Sequence, residues 1–348
     1  MSDVVRAALA AVVEGQTLTQ DEAHAAMASI MDGESMPSQL AALLVAMRMR
    51  GETVDELAGF ARAMRERVLR VEAPEGAIDT CGTGGDGSNT FNISTCAAFV
   101  VAAAGVPVAK HGNRAMTSKC GSADVLEALG VPIDLTPELA AECLRETGFV
   151  FLYAPLYHPA MKTLGPLRRA LGFRTIFNLC GPLTNPAHAR IQVVGVLAPS
   201  RVLLVGRALA ALGSRRAFVV HGSDGIDELT TTGESVVARV EEAEPGAEPA
   251  LKAARVTPEM AGLPRATLDQ FIGGDIPTNK ALLYDVLTGI PGARRDIVLL
   301  NAAATLVAAG LADDLKEGVS LGAEAIDSGQ AAATLAKLQI FGEKYARK

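Results

Sequence analysis

Two short runs concentrate the residue types that bind anions. The first, Gly82-Thr83-Gly84-Gly85-Asp86, follows a β-like run and is trailed by Thr90 and then Asn92-Ile93-Ser94-Thr95. Glycines admit positive φ and let backbone amides approach an anion closely. The spacing is neither GxGxxG nor GxxxxGK[ST], so the glycines alone read equally well as a tight turn without a ligand. Ser94 and Thr95 add weight to an anion site, because they open an apolar helix whose N-terminus offers free amides and the positive end of a dipole. Either hydroxyl also suits a plain N-cap, and the two roles are compatible. The second run, Lys110-His111-Gly112-Asn113-Arg114, ends another β-like stretch and continues to Ser118, Lys119, Gly121 and Ser122. Lys110 offers a point charge and Arg114 a planar fork for phosphate. A solvated surface explains a lone Lys-His pair better than it explains this whole run.

A third feature is Asp227-Glu228, just after the turn His221-Gly222-Ser223-Asp224-Gly225. Taken alone the pair reads as surface acid. Opposite a phosphate site it suits Mg²⁺, which prefers hard oxygens and is often held by one or two carboxylates plus substrate phosphates. The five histidines have no HExxH spacing, there is no GxSxG elbow, and no cysteine lies in a nucleophile motif. Phosphate donors and a metal without a nucleophile favour a substrate that carries its own leaving group. Diphosphate departing from an activated sugar is such a case.

The elements that must position these residues fall into two groups. Residues 1–72 read as helices only. Thr19-Gln20-Asp21-Glu22 and Thr53-Val54-Asp55-Glu56 are capping boxes, Pro37 suits a first helical position, and Gly51 a helix end. Four short helices make a small bundle, the fourth running to about Arg70, with a hinge over 71–76. Residues 73–348 read as an α/β domain. β-like runs at 77–79, 107–110, 150–153, 192–197 and 217–221 alternate with helices at 95–104, 123–129, 137–147, 199–212, 279–287 and 296–309. That alternation predicts a central, mostly parallel sheet. Both anion-binding loops then emerge at the carboxyl rim, where open α/β sheets hold their ligands. The basic, turn-rich segment 161–186 has a composition that lets it return to the helical domain. The Ala-, Glu- and Pro-rich stretch 241–254 reads as an exposed loop, and 328–345 as a C-terminal helix.

Bulk properties exclude several classes. A net charge of −7 disfavours nucleic acid as a partner. The five cysteines, Cys81, Cys96, Cys120, Cys143 and Cys180, are odd in number and in no CxxC spacing, against a disulfide framework or structural zinc. The N-terminus has no basic region before its apolar run, and no stretch suits a membrane span, so the cytoplasm is expected.

The runs GTGGDGSNTFNIST, KHGNRAMTSKCGSADVLEALG, RTIFNLCGPLTNP and HGSDGIDELT closely resemble the anthranilate phosphoribosyltransferases of tryptophan biosynthesis. The likeness extends over nearly the whole chain, including RRDIVLLNAA near its end. The resemblance implies transfer of the 5-phosphoribosyl group of phosphoribosyl diphosphate to the amine of anthranilate, with Mg²⁺. It implies the type III nucleoside phosphorylase fold, a small α-helical domain plus a large α/β domain, and a homodimer formed through the helical domain. Gly82, Gly85, Asp86, Thr90, Asn92, Ile93, Ser94 and Thr95 would then line the phosphoribosyl diphosphate. Lys110, His111, Gly112, Asn113, Arg114, Ala115, Met116, Thr117, Ser118 and Ser122 would close over it. Ser94, Asp227 and Glu228 would hold the metal. Gly82, Asn113 and Arg168 would meet anthranilate, Arg168 through its carboxylate. Lys110 would stabilise the leaving diphosphate, and His111 is the nearby candidate for the amine proton. Two other readings share the architecture: a pyrimidine nucleoside phosphorylase, which has no call for an acidic metal pair, and a non-catalytic nucleic-acid-binding relative, which should be basic.

Overall fold

The computed structural model describes residues 3–115, 119–241 and 250–346. The chain opens with four helices, α1 (Asp3–Val13), α2 (Gln20–Met31), α3 (Pro37–Arg50) and α4 (Val54–Glu66). Thr19 and Thr53 each accept the N3 amide while Glu22 and Glu56 reach back, so both expected capping boxes form. Pro37 stands at the first turn of α3 and Gly51 closes it at φ 96°. The fourth helix stops at Glu66, short of the expected Arg70. Beyond it the chain is tied elsewhere: Leu69 N donates to Tyr157 O and Val71 N to Pro186 O.

The second part alternates strands and helices. In order come β1 (Ile78–Gly82), α5 (Ile93–Ala103), β2 (Val108–Gly112), α6 (Ser122–Ala128), α7 (Pro137–Thr147) and β3 (Phe149–Tyr153). Short helices α8 (Ala154–Tyr157), α9 (Gly165–Leu171) and α10 (Ile176–Cys180) precede β4 (Ile191–Gly195), α11 (Pro199–Ala211) and β5 (Arg216–Gly222). Then come β6 (Ser235–Glu241), β7 (Ala250–Val256), α12 (Ile276–Leu287), α13 (Ala293–Ala309), α14 (Leu315–Asp327) and α15 (Gln330–Ala346). One sheet runs β3-β2-β1-β4-β5-β6-β7, parallel from β3 to β5 and antiparallel thereafter. The parallel strands are near-continuous buried runs, as a sheet covered on both faces requires.

A further expectation fails here. The stretch 241–254 is not an exposed loop at both ends: Glu241 closes β6, Ala250 opens β7, and the two pair from Ser235↔Val256 to Glu241↔Ala250. Residues 242–249 lie outside the described residues. β7 is an edge strand, largely exposed, so its sequence carries little of the apolar alternation by which strands are read. The region before the C-terminal helix also holds α14, which packs on α13 through close glycine contacts at Gly318.

The core has two bodies. The first lies on the sheet face covered by α5, α13, α14 and α15. The second runs from the helical bundle through Leu164, Ile176, Phe177, Leu179, Cys180 and Leu183 to α11 and the other sheet face. The segment 161–186 thus buries its apolar side chains with the bundle. Arg65 of α4 adds polar ties, donating Nε to Leu183 O and Nη1 to Leu212 O at 3.0 Å. Arg201 of α11 pairs with the buried Glu52 at 2.7 Å.

Candidate active site

The strand order sets the place. From β1 the chain winds outward through β2 and β3, then returns to the other side of β1 with β4. The switch point lies between β1 and β4, and a crevice opens beyond their carboxyl ends. Thr83 N donates to Gly195 O at 2.9 Å across that gap. Gly84 and Gly85 take successive positive φ values of 65° and 67°, turning the loop over the sheet edge. A Cβ on Gly195 would collide with the backbone carbonyl of Asp227, and one on Gly82 with its carboxylate. These glycines are space for the acid pair as much as freedom for the chain.

The acid pair reaches the glycine loop and the α5 N-terminus directly. Asp227 Oδ2 accepts from Gly84 N at 2.8 Å, Glu228 Oε1 from Ser94 N at 3.1 Å, and Asp86 Oδ2 from Asp227 N at 3.2 Å. Helix α5 begins at Ile93 with Asn92 at its N-cap, so neither Ser94 nor Thr95 caps it. Ser94 lies in the first turn, and its hydroxyl accepts from Lys110 Nζ at 3.4 Å. Thr95 and Ile93 are buried, each 1% exposed, and Ile93 N already donates to Phe91 O at 2.8 Å.

Charge is crowded here. Burial, then the neighbouring Asp86 carboxylate, pushes Asp227 up to about 6. Burial, then Asp227, pushes Glu228 up to about 8, against the pull of Lys110. Lys110 is 2% exposed and is lowered by burial, with Asp79, Glu228 and Asp227 opposing. Its ammonium donates to Thr80 O. Carboxylates raised in this way mark a place short of positive charge. Among the described residues no three His, Cys, Asp or Glu side chains form a ready cage. Two carboxylates and a hydroxyl suit Mg²⁺, which keeps waters and takes its remaining oxygens from phosphates.

The second loop is cinched from within. Asp124 Oδ2 accepts from Ala115 N at 3.0 Å and Gly121 N at 2.9 Å, and Ser122 Oγ donates to Asn113 O at 3.1 Å. Gly112 admits no Cβ, since Ser122 Oγ and Phe151 lie against it. Asn113 is exposed. Arg114 spends its fork on protein: both Nη atoms meet Glu127, at 2.8 and 3.0 Å, Nη1 also meets Asp124 at 3.0 Å, and these bonds hold its pKa raised. Met116, Thr117 and Ser118 lie outside the described residues. Thr90 is bridged to Ile272, and Asn92 is fixed by Asn279 Nδ2 at 3.0 Å and by its own bond to Cys120 O at 3.2 Å. Asn89, Thr90, Lys119, Cys120, Gly274 and Asn279 help line a cavity of about 220 Å³ between the two loops.

His111 and His158 meet Nε2 to Nε2 at 3.3 Å. Burial lowers His111 to about 3 and His158 to about 4, so both rings are neutral. Arg168 stands apart on α9. It is half-buried, its guanidinium lies 5.6 Å over the Phe177 ring, burial lowers its pKa, and among the described residues it has no carboxylate partner. Arg174, past the same helix, donates to Gly85 O and so links that segment to the glycine loop.

Several residues that organise the site escape a reading by motif. Asp79, wholly buried in β1, accepts from His111 N at 3.0 Å and from Asn185 Nδ2 at 2.8 Å, and Asn185 also donates to Ala109 O at 2.8 Å. An acid inside an apolar strand was the available signal for Asp79. Arg174 and Asn185 lie in the RTIFNLCGPLTNP run but gave no sign of these bonds, and Asn279 carries no such local mark.

The fold and the site together define a transferase class. The sequence matches the glycosyl transferase family, a/b domain, over residues 74–332 and the glycosyl transferase family, helical bundle domain, over 6–68. An anthranilate phosphoribosyltransferase of Rhodopseudomonas palustris (strain HaA2) is 53% identical over 333 residues, covering 96% of this chain and 97% of that one. That of Bradyrhizobium diazoefficiens is 52% identical over 336 residues, covering 97% and 98%. Among solved structures, anthranilate phosphoribosyltransferase from Thermus thermophilus superposes with a TM-score of 0.89 at 44% identity, covering 97% of this chain and 99% of that one. The Saccharomyces cerevisiae enzyme in complex with PRPP and Mg gives 0.88 at 26% identity, covering 99% of each. The chain belongs to the anthranilate phosphoribosyltransferase family.

Proposed function

We propose that this protein transfers the 5-phosphoribosyl group of phosphoribosyl diphosphate to the amine of anthranilate, releasing diphosphate, as a step of tryptophan biosynthesis. The observation that carries the reading is the convergence of Asp227, Glu228, Ser94 and Lys110 at the β1/β4 switch point, within reach of the glycine-loop amides. The loop 82–95 and the run 110–122 take the sugar diphosphate between them. Ser94, Asp227 and Glu228 hold Mg²⁺, which supplies counter-charge to the diphosphate oxygens. Lys110, poised between Thr80 and Ser94, places its ammonium where charge grows as the bond from the ribose C1 carbon to diphosphate breaks.

Anthranilate's carboxylate goes to Arg168, which has a charge to offer and no acid to meet it among the described residues. Asn113, exposed at the lip of the second loop, and Gly82 complete that end. An aniline nitrogen is already nucleophilic, so position counts for more than a strong base. His111 is neutral and so able to accept the amine proton, with its basicity reduced by burial. A nucleoside phosphorylase reading gives no role to the acid pair, and a nucleic-acid-binding reading is at odds with the charge of −7.

Two copies pairing through the helical domain belong to this proposal. Val4 and Val13 on α1, with Met49 on α3 at 83% exposure, give that domain uncovered apolar surface. A cytoplasmic setting fits five free, buried cysteines. Anthranilate's own fluorescence tests the reaction. Protein, Mg²⁺, phosphoribosyl diphosphate and anthranilate should together give a steady loss of that signal. An unchanged signal, with no calorimetric binding of the sugar diphosphate, would sink the assignment.

A further inference from the structure

Asp227 and Glu228 sit on a loop between β5 and β6, and a loop by itself does not hold two side chains to the tolerance a metal site needs. Two side chains outside the site brace it. Asn301 lies midway along α13, 2% exposed, with Val298, Leu300, Ala302 and Ala304 buried around it. A primary amide in such company is costly unless its hydrogen bonds are made. They are made to one residue above all. Asn301 Oδ1 accepts from Leu229 N at 3.0 Å, and Nδ2 donates to Leu229 O at 2.9 Å and to Ile297 O at 2.9 Å.

Leu229 is fully buried and directly follows Glu228. Its N–H and C=O belong to the two peptide groups on either side of it, so the amide fixes the orientation of both planes. From the other side, Asp224 Oδ2 accepts from Thr230 Oγ1 at 2.6 Å and from Thr232 Oγ1 at 2.8 Å, while Thr232 N donates to Thr230 Oγ1 at 3.0 Å. The acid pair is therefore bracketed, by a bridge across the loop at Asp224 and by an anchor beneath it at Asn301.

We propose that Asn301 is a positioning residue for the Asp227-Glu228 pair, with Asp224 as its counterpart across the loop, and that together they govern how tightly the protein holds Mg²⁺ and the diphosphate end of its substrate without touching either. The inference rests on the reaction proposed above. The chemistry of the anchor is demanding. Aspartate has no donor for Leu229 O, leucine keeps the volume and removes every bond, and glutamine is one methylene too long for the same two-point match. Arg168 shares no hydrogen bond with α13 or with this loop, and it packs with the second core rather than the first. Loss of the braces should therefore fall on one end of the site.

The test uses the full-length protein in three forms: wild type, Asn301→Leu and Asp224→Ala. Phosphoribosyl diphosphate is titrated calorimetrically at a series of Mg²⁺ concentrations, and the KM for anthranilate is measured alongside. The expected result is binding weakened about tenfold or more in each variant, with more Mg²⁺ needed for half-saturation, which is the usual scale for groups that orient metal ligands. The KM for anthranilate should stay within about twofold. Asp224 lies near the surface, so Asp224→Ala decides the matter if Asn301→Leu fails to fold. Wild-type affinity and Mg²⁺ dependence in the folded variants would overturn the inference, as would an equal loss at the anthranilate end. If the wild-type protein itself bound no phosphoribosyl diphosphate, the reaction assignment would fail first and take this inference with it.

Discussion

The two ends of the candidate site are built on opposite plans. At the strand rim, charge is dense and shared: Lys110, Asp227 and Glu228 perturb one another, and backbone amides of Gly84 and Ser94 are already engaged by carboxylates. On α9, the Arg168 guanidinium lies over an aromatic ring and has no acid partner among the described residues. A crowded site redistributes the loss of one member among its neighbours, whereas a cation outside such a network shares no partners with it. The rim should therefore behave as one cooperative unit, and Arg168 as a separable one.

Replacing Asp227 and Glu228 together by Ala gives the largest effect. It should remove Mg²⁺-dependent turnover, by about a thousandfold or more, because the leaving diphosphate loses its organised counter-charge. Retained activity would take the pair out of the metal site. Next comes Arg168→Ala, read by steady-state kinetics. A lost charged hydrogen bond is worth ~1.5–3 kcal/mol, so the KM for anthranilate should rise about 10- to 100-fold with the Mg²⁺ requirement unmoved. A fall in turnover with that KM unchanged would end the separation between the two ends.

A smaller effect is expected from pH. Asp227 moves from 3.8 to about 6 and Glu228 from 4.5 to about 8 in the folded, cation-free protein. A raised carboxyl favours the fold below its ordinary value and loses that advantage as pH climbs to its folded value, so stability should decline from about pH 4 to 8. Mg²⁺ competes with those protons, and the rise in Tm it produces should be greater at pH 8 than at pH 6. Equal rises at both pH values would show that the pair does not meet the ion. The smallest change belongs to Arg114→Ala. Its fork is committed to Glu127 and Asp124 at an exposed position, where such pairs contribute ~0–1 kcal/mol. The KM for phosphoribosyl diphosphate should rise less than about fivefold, the equivalent of ~1 kcal/mol. A rise as great as that for Arg168 and anthranilate would mean that Arg114 leaves its protein partners for the substrate.

Much of this was legible in the chain. Capping boxes and glycine stops fixed helices whose ends depend on neighbours in sequence, as at Thr19, Thr53 and Gly51. The two candidate loops announced themselves by strand-then-glycine order, and both follow strands of the sheet. What stayed hidden depends on partners far along the chain. The partner of the Asn92 side-chain oxygen is Asn279, 187 residues on. Asn301 reads as an interruption in an apolar helix until Leu229 is beside it, 72 residues away in sequence. β7 failed to show because an exposed edge strand needs no apolar stripe, only a neighbour to pair with.

The division of the core has a mechanical consequence. Arg168 rides on a segment that shares its interior with the four-helix bundle, while the acid pair is anchored to α13 on the opposite sheet face. Arg65 and the Arg201–Glu52 contact fasten the bundle to α11. Those fastenings set the jaw width of a caliper: loosening them changes the gap between the two grips while leaving each grip intact.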